Sequence, residues 1–238
     1  MTQKYRTIAS AIRNRILTRD FEANEQLPFE RDLCTDYGVS KMTVKKALDM
    51  LVSEGLIVKR RGAGTYVKDL AGEEIDRLAV STQFRGTSAL NPDKVVRSKI
   101  LDFKVIKSPE IISKKLNIPE GSFVYDIHRV RYIDGNPHVI EKMYMPIELI
   151  PYLKNSHIES SLYAYIENGL GLKIQSAHRR ISVRTASALE SEYLALKGTD
   201  PVAIAEQIAY FDTGQAFEYS LSTHRYDEFS VAMILTRE

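Results

Sequence analysis

The chain has no tryptophan and a single cysteine, Cys34, in 238 residues. One thiol excludes an internal disulfide and a cluster of thiolate metal ligands, and it fits a reducing compartment. Cys34 itself reads as a small buried residue. Long apolar runs are also missing: nowhere do eighteen apolar residues follow one another, so no segment has the length of a membrane span. The opening MTQKYRTIAS lacks the apolar stretch of a secretory signal, and a cytoplasmic protein is expected. The five histidines, His128, His138, His157, His178 and His224, show no metal-ligand spacing and no pairing with Cys34, and no nucleophile-elbow pattern occurs. Neither a metal, a cofactor nor a catalytic residue is therefore expected.

What is present is the composition of a globular protein, 44% hydrophobic and 27% charged, with length enough for two domains. The net charge of +2 hides an asymmetry. Residues 1–70 hold 13 Lys and Arg against 9 Asp and Glu, and the remainder holds 20 against 22. Positive charge gathered at the front suggests a polyanionic partner for that part.

Residues 4–18 place Ile8, Ile12, Ile16 and Leu17 at helical spacing, with Arg6, Arg13 and Arg15 on the other face. A second helix is expected to open at Pro28, to carry Glu30 in its first turn and to end at Tyr37 and Gly38. Ser40 is a suitable N-cap for a third helix running to about Glu54, with Gly55 as its stop. On that helix Val44, Ala47, Leu48 and Leu51 face inward, whereas Met42, Lys45, Lys46 and Asp49 face outward, with Lys41 and Thr43 exposed near its start. Two short β-prone runs, 56–59 and 65–67, follow around a basic tip with Gly62 and Gly64. Helix, short turn, basic helix and hairpin together give the docking geometry of a winged helix-turn-helix on duplex DNA. Beyond a linker at 70–80, strands and helices alternate, with tight turns at Asp134-Gly135 and Asp212 to Gly214 that imply a mainly antiparallel sheet.

The stretch LPFERDLCTDYGVSKMTVKKALDMLVSEGLIVKRRGAGTYV resembles the winged helix-turn-helix of the GntR family of bacterial transcription regulators. Leu27, Pro28, Glu30 and Arg31 form its first element, Gly38-Val39-Ser40 the turn, Thr43-Val44 and Ala47-Leu48 the continuation, and residues 61–65 the wing. The remainder is similar to the effector domain of the family's HutC branch, called UTRA, which has the chorismate-lyase fold. The resemblance implies an α+β chain with a DNA-binding domain at 1–69, a linker at 70–80 and an effector-binding and dimerisation domain at 81–238. It implies operator contacts from Arg31, Lys41, Thr43, Lys45, Lys46, Arg61, Gly62 and Gly64. The family commonly has arginine at positions 41 and 45, and lysine supplies a point charge in place of a bidentate fork.

In the second domain Arg129 and Arg131 stand two apart on an expected strand, so they share a face and call for an anion. Ser160 and Ser161 open the expected helix LYAYIENG. In similar UTRA domains the positions of Arg129, Arg131, Glu141, Ser161, Tyr163 and Glu218 line the ligand cavity, together with residues around Phe84 and Arg85. The arginines and Ser161 suit a phosphate, and Tyr163, Glu141 and Glu218 suit sugar hydroxyls. His224, where many relatives have tyrosine, reads equally as a ligand contact and as a surface residue. With a two-residue turn at Asp134-Gly135, Glu141 would leave the arginine face, whereas a three-residue loop or a bulge restores it. The expected function is a homodimeric repressor on a palindromic operator, controlling carbohydrate genes and released by a sugar phosphate. A regulator sensing a non-phosphorylated carboxylate is the alternative, and an enzyme of chorismate-lyase type a distant third.

Overall fold

The computed structural model of the chain describes residues 4–69 and 86–231. They fall into two compact units, one holding residues 4–69 and the other residues 86–230. The expected linker at 70–80 and the expected effector-site residues Phe84 and Arg85 lie outside the described residues.

The first unit packs α1 (Lys4–Leu17), α2 (Glu30–Tyr37) and α3 (Lys41–Ser53) around one core that includes Ile12, Leu33, Leu48 and Leu51. Pro28 does not open α2. It stands two residues ahead of Glu30, and Phe29 is the extended cap residue between them, so Pro28 fixes the approach rather than the first turn. Gly38 ends the helix at φ 58°, a left-handed cap that L side chains adopt at a cost, and its N–H reaches the carbonyls of Cys34 and Thr35. Ser40 caps α3, its hydroxyl accepting from the N–H of Thr43. Arg13 is not a free surface cation. It grips the Glu54 carboxylate at the end of α3 with Nε at 2.8 Å and Nη2 at 2.5 Å, which ties α1 to α3. Two strands, β1 (Ile57–Arg60) and β2 (Gly64–Val67), form the hairpin, and the preceding segment adds a bridge from Gln26 to Tyr66. Cys34 is half-buried against the core.

The second unit is a six-stranded sheet, antiparallel throughout, with helices on both faces. Its elements are α4 (Thr87–Leu90), β3 (Val96–Lys107), α5 (Glu110–Leu116), β4 (Phe123–Ile133), β5 (Asn136–Pro146) and α6 (Asn155–Glu159). After these come α7 (Leu162–Ala164), β6 (Ile174–Thr185), α8 (Ala188–Tyr193), β7 (Pro201–Phe211) and β8 (Ala216–Arg225). The strand order is β3-β4-β5-β8-β7-β6. The α+β class with an antiparallel sheet is what the sequence implied. The helix expected over LYAYIENG differs: α7 makes one turn and then widens to a π-turn over Tyr165–Gly169. Ser161 alone caps α7, its hydroxyl accepting from the N–H of Ala164, while Ser160 closes α6. On one face α6, α7 and the π-turn pack Ile158, Leu162 and Ile166 on Ile127, Met143 and Met145 of the sheet. On the other face α5 and α8 cover two smaller clusters around Leu116 and Leu194.

The helix α8 depends on Glu190. Its carboxylate completes a capping box with Ser187, accepts from both Arg184 terminal nitrogens at 2.7 and 2.6 Å, and accepts from Thr223 at 3.2 Å. The Arg184 hydrogen bonds outweigh burial and hold the carboxyl at about 2, against an ordinary 4.5. A depressed carboxylate contributes stability that is present above its unfolded pKa and lost as pH falls through the folded one, here between about 4.5 and 2. Glu190→Gln is expected to lower unfolding free energy by about 1–3 kcal/mol and to flatten the acid limb of stability in that window, checked by urea unfolding across pH.

Candidate DNA-reading and effector sites

The outer face of α3 keeps its charge because other charges are spoken for. Lys41, Lys45 and Lys46 are exposed, and none has an ion-pair partner among the described residues. Asp49, on the same face, is neutralised by Lys59 of β1 at 2.7 Å. Thr43 is half-buried and shares a hydroxyl contact of 2.9 Å with Ser40. Arg31 is nearly fully exposed, touching only its neighbour Asp32 at 3.3 Å. At the hairpin tip Arg61 and Gly62 are exposed, and Gly62 takes φ 76°. Gly64 is favoured by its φ of 125°, and a Cβ there would have to displace the end of the Gln26 side chain, whose Nε2 donates to the Ala63 carbonyl. Arg60 stacks on the Tyr66 ring at 4.5 Å. The unit thus displays three lysines without ion-pair partners among the described residues, an exposed arginine and a basic hairpin tip, an arrangement able to neutralise phosphates.

In the second unit the register decides the site. The turn at Asp134-Gly135 has two residues, with φ of 50° and 84° as a type I′ hairpin requires. The ladder then shifts by one between Arg131 and Tyr132, leaving His138 as an extra residue on β5. That bulge sets Glu141 directly opposite Arg129. Directly paired residues share a face, so Arg129, Glu141, Ser222, Ala205 and Ile181 form one row across the sheet, and Arg131, Val139, His224, Ala203 and Val183 the next. A third row runs from Ile127 through Met143, Ser220 and Gln207 to Arg179.

Arg129 is buried and spends its guanidinium on Oε2 of Glu141 at 2.7 Å and on the carbonyl of Ile158. Burial alone would raise the Glu141 carboxyl, but Arg129 and Arg131 together hold it below the ordinary value. Arg131 is 2% exposed, donates to Oγ of Ser88 at 2.5 Å and to the Ser160 carbonyl at 3.4 Å, and leaves Nε without a partner. Burial lowers its pKa to about 10 despite Glu141, so it stays charged at neutral pH. Glu218 is 2% exposed; one oxygen accepts from Ser220 at 2.7 Å and from Tyr163 and Gln207 at 3.3 Å each, and Oε2 has no partner. Burial pushes this carboxyl above its ordinary value, and burial with Glu218 beside it drives the Tyr163 hydroxyl well up. Half-buried His224 leans on Phe229 with Nδ1 unpartnered, and burial pulls its pKa down to about 4 in spite of Glu141.

The structure therefore brings Arg129, Arg131, Glu141, Glu218 and His224 to one sheet face and lays Tyr163 of α7 against Glu218; Ser161 is committed to capping α7. Sequence reasoning missed Ser88, Thr87, Gln207 and Ser220. Thr87 approaches Glu141 at 3.5 Å, and Gln207 is held by two hydrogen bonds from Arg179 to its Oε1. Gln207 carried a signal, since a lone amide at an inward position of an apolar strand needs partners. Four residues of α4 are too few for periodicity to reveal Ser88. Chemically, the face carries a buried guanidinium with no carboxylate bonded to it and one unpartnered nitrogen, Nε of Arg131, and one unpartnered carboxyl oxygen, Oε2 of Glu218, groups that suit a ligand bearing an anion and hydrogen-bond donors.

A basic winged helix-turn-helix unit joined to an α+β unit with a polar, half-satisfied face defines a DNA-binding transcription regulator with a small-molecule domain. Residues 4–67 match the bacterial regulatory proteins of the gntR family and residues 93–230 match the UTRA domain, and the chain belongs to the GntR family in its UTRA-bearing branch. It is 37% identical to the HTH-type transcriptional regulator GmuR of Bacillus subtilis, over 98% of this chain and 99% of that one. It is 30% identical to the mannosyl-D-glycerate transport/metabolism system repressor MngR of Escherichia coli, over 98% and 96%. The crystal structure of the possible transcriptional regulator YydK from Bacillus subtilis superposes with a TM-score of 0.73 at 29% identity, covering 99% of both chains. The protein is a transcription regulator and not an enzyme. No helix among the described residues is long and apolar enough to cross a membrane.

The burial of His224 makes a direct prediction. Its imidazole is expected to remain neutral down to about pH 4 in the folded chain, read as a ring-proton titration by NMR well below an ordinary histidine near 6.5.

Proposed function

We propose that the protein is a homodimeric repressor of carbohydrate uptake or catabolism genes, released from a palindromic operator by a phosphorylated sugar. The observation that carries the effector reading is the uneven pairing on the sheet face. Arg129 is neutralised by Glu141, while Arg131 stays charged, buried and short of one acceptor. A phosphate matches Arg131 in charge and as a hydrogen-bond acceptor, and Glu218, Tyr163 and Glu141 supply partners for sugar hydroxyls. The relation to a repressor of a mannosyl-D-glycerate system supports a carbohydrate regulon. Because a carboxylate also suits Arg131, it is the second reading. The dimer is supported by β6, an outer strand of the sheet with Val183 and Ile181 exposed on it, which is the kind of edge that pairs with another chain.

On the DNA side, α3 is the recognition helix, with Lys41, Lys45 and Lys46 as its cations, Arg31 and the hairpin tip at Arg61 to Gly64 flanking it. Effector release requires a ligand that binds one arrangement of the protein better than the other. Ser88 of α4, the first described element after the linker region, donates no charge but accepts from Arg131 at 2.5 Å, so an incoming anion competes with it. That contact supports a ligand-dependent change at α4.

Thermal unfolding against sugar 6-phosphates, the free sugars and small carboxylates tests the effector. A ligand at about a hundred times its Kd adds roughly 2.7 kcal/mol, on the order of several degrees in Tm. The expected result is a shift by a sugar phosphate alone, abolished in Arg131→Ala, and loss of operator binding at the same concentration. A shift by carboxylates alone replaces the leading reading by the second. For the DNA side, Lys45→Ala is expected to weaken operator binding at least about tenfold with an unchanged melting curve; unchanged affinity removes Lys45 from the interface.

A further inference from the structure

The outward stripe of α3 is not wholly polar. Met42, Lys45, Lys46 and Asp49 follow i, i+3, i+4 and i+7, opposite the buried Val44, Ala47, Leu48 and Leu51. Met42 heads that stripe and is 63% exposed. Within residues 4–69 one other large apolar side chain is comparably open, Phe29, and it belongs to the cap of α2 rather than to α3. Met42 lines an open groove with Lys4, Tyr5, Thr43 and Lys46, so the apolar side chain is ringed by two cations and two hydroxyl-bearing residues. It contributes nothing to the core of its unit.

We propose that Met42 reads thymine, by packing its thioether on the 5-methyl group of a thymine in the operator. The proposal rests on the reading of α3 as the recognition helix. Residues at the start of such a helix are the ones that reach base edges. In the major groove the thymine methyl is the apolar feature among donors and acceptors, and an unbranched, polarisable side chain adapts to it. The neighbouring lysines are point charges that bind phosphate or guanine without the planar fork of arginine, so discrimination among bases shifts toward contacts of shape and apolarity. Covering one methyl group is worth about fourfold in affinity, enough to set preference at one position and too little to carry binding.

Duplexes that bind the full-length protein are first selected from a randomised pool. Each thymine of the selected site is then replaced in turn by deoxyuridine, which removes the methyl group and leaves every hydrogen-bonding atom. Binding of the wild type, Met42→Ala, Met42→Leu and Lys45→Ala is compared at one fixed salt concentration, with melting curves to confirm folding. The expected result is one thymine per half-site whose replacement costs the wild type about fourfold, a penalty kept by Met42→Leu and absent in Met42→Ala. The proposal is overturned if the selected site has no such thymine, or if Met42→Ala keeps the full penalty. Loss of binding in Lys45→Ala without any methyl penalty in the wild type leaves α3 as the recognition helix and removes Met42 alone. Unchanged binding by both Lys45→Ala and Met42→Ala overturns the two together.

Discussion

Burying a guanidinium on a sheet face is costly unless charge or hydrogen bonds answer it there, and in this protein Glu141 meets Arg129 across the β4–β5 ladder at 2.7 Å. That pairing exists because β5 has one residue too many. Without the bulge at His138, the two-residue type I′ turn would send Glu141 to the other face and leave two arginines on this one unanswered. Removing one member of a buried pair typically costs about 3–5 kcal/mol, so the bulge is a condition of the domain's stability as well as of its chemistry. It also separates the roles of the two arginines. Arg129 is structural in its bonds, held by Glu141 and the Ile158 carbonyl of α6, while Arg131 one pleat away is answered by neutral groups.

A second bulge repeats the device on the far side of the same face. Phe217 is the extra residue between the Ala209–Glu218 and Tyr210–Ala216 pairs. It stacks on Phe211 at 4.2 Å inside the apolar core, and Glu218 beside it turns to Tyr163, Gln207 and Ser220. The apolar core beneath the helices and the polar face therefore adjoin, one supplying rigidity and the other unfilled hydrogen-bonding capacity. Burial disfavours the charged form of each group on this face: it lowers Arg131 to about 10, which still leaves it charged at neutral pH, raises the Glu218 carboxyl above its ordinary value, and lowers His224 to about 4.

In the DNA-binding unit the same accounting of partners explains why the lysines are free. Arg13 is consumed by Glu54, Arg15 lies over the Phe21 ring, and Asp49 is satisfied by Lys59. What is left over on α3 is positive. A net excess of charge in the first 70 residues, small in the count, becomes a concentrated feature on α3 because Asp49 on its outer face and Glu54 at its end are already paired.

How much of this was legible in the sequence follows from the range of each interaction. The three helices of the first unit, the Ser40 cap, the Gly38 stop and the outward lysines follow from spacing and capping within a few residues, so they were readable from the chain alone. The same is true of the antiparallel hairpins and of two arginines sharing a face. Errors arose where local signals did not decide: Arg13 reads as surface until Glu54, 41 positions away, claims it, and LYAYIENG reads as α-helix where the chain makes one turn and then a π-turn with Ile166 buried in the core. The register of β4 on β5 could not be read at all, because turn length permitted either face and the choice was made by burial of Arg129 against α6. Ser88, Thr87 and Gln207 entered the site through contacts spanning about 40 residues or more, or through strand order, neither of which leaves a periodic trace. The sequence by itself determined which segments fold and which charges lie outward, since these are short-range consequences of side-chain spacing. Only the tertiary structure decided which buried charges pair and which one is left without a charged partner, because that depends on a one-residue shift between strands that no local preference sets.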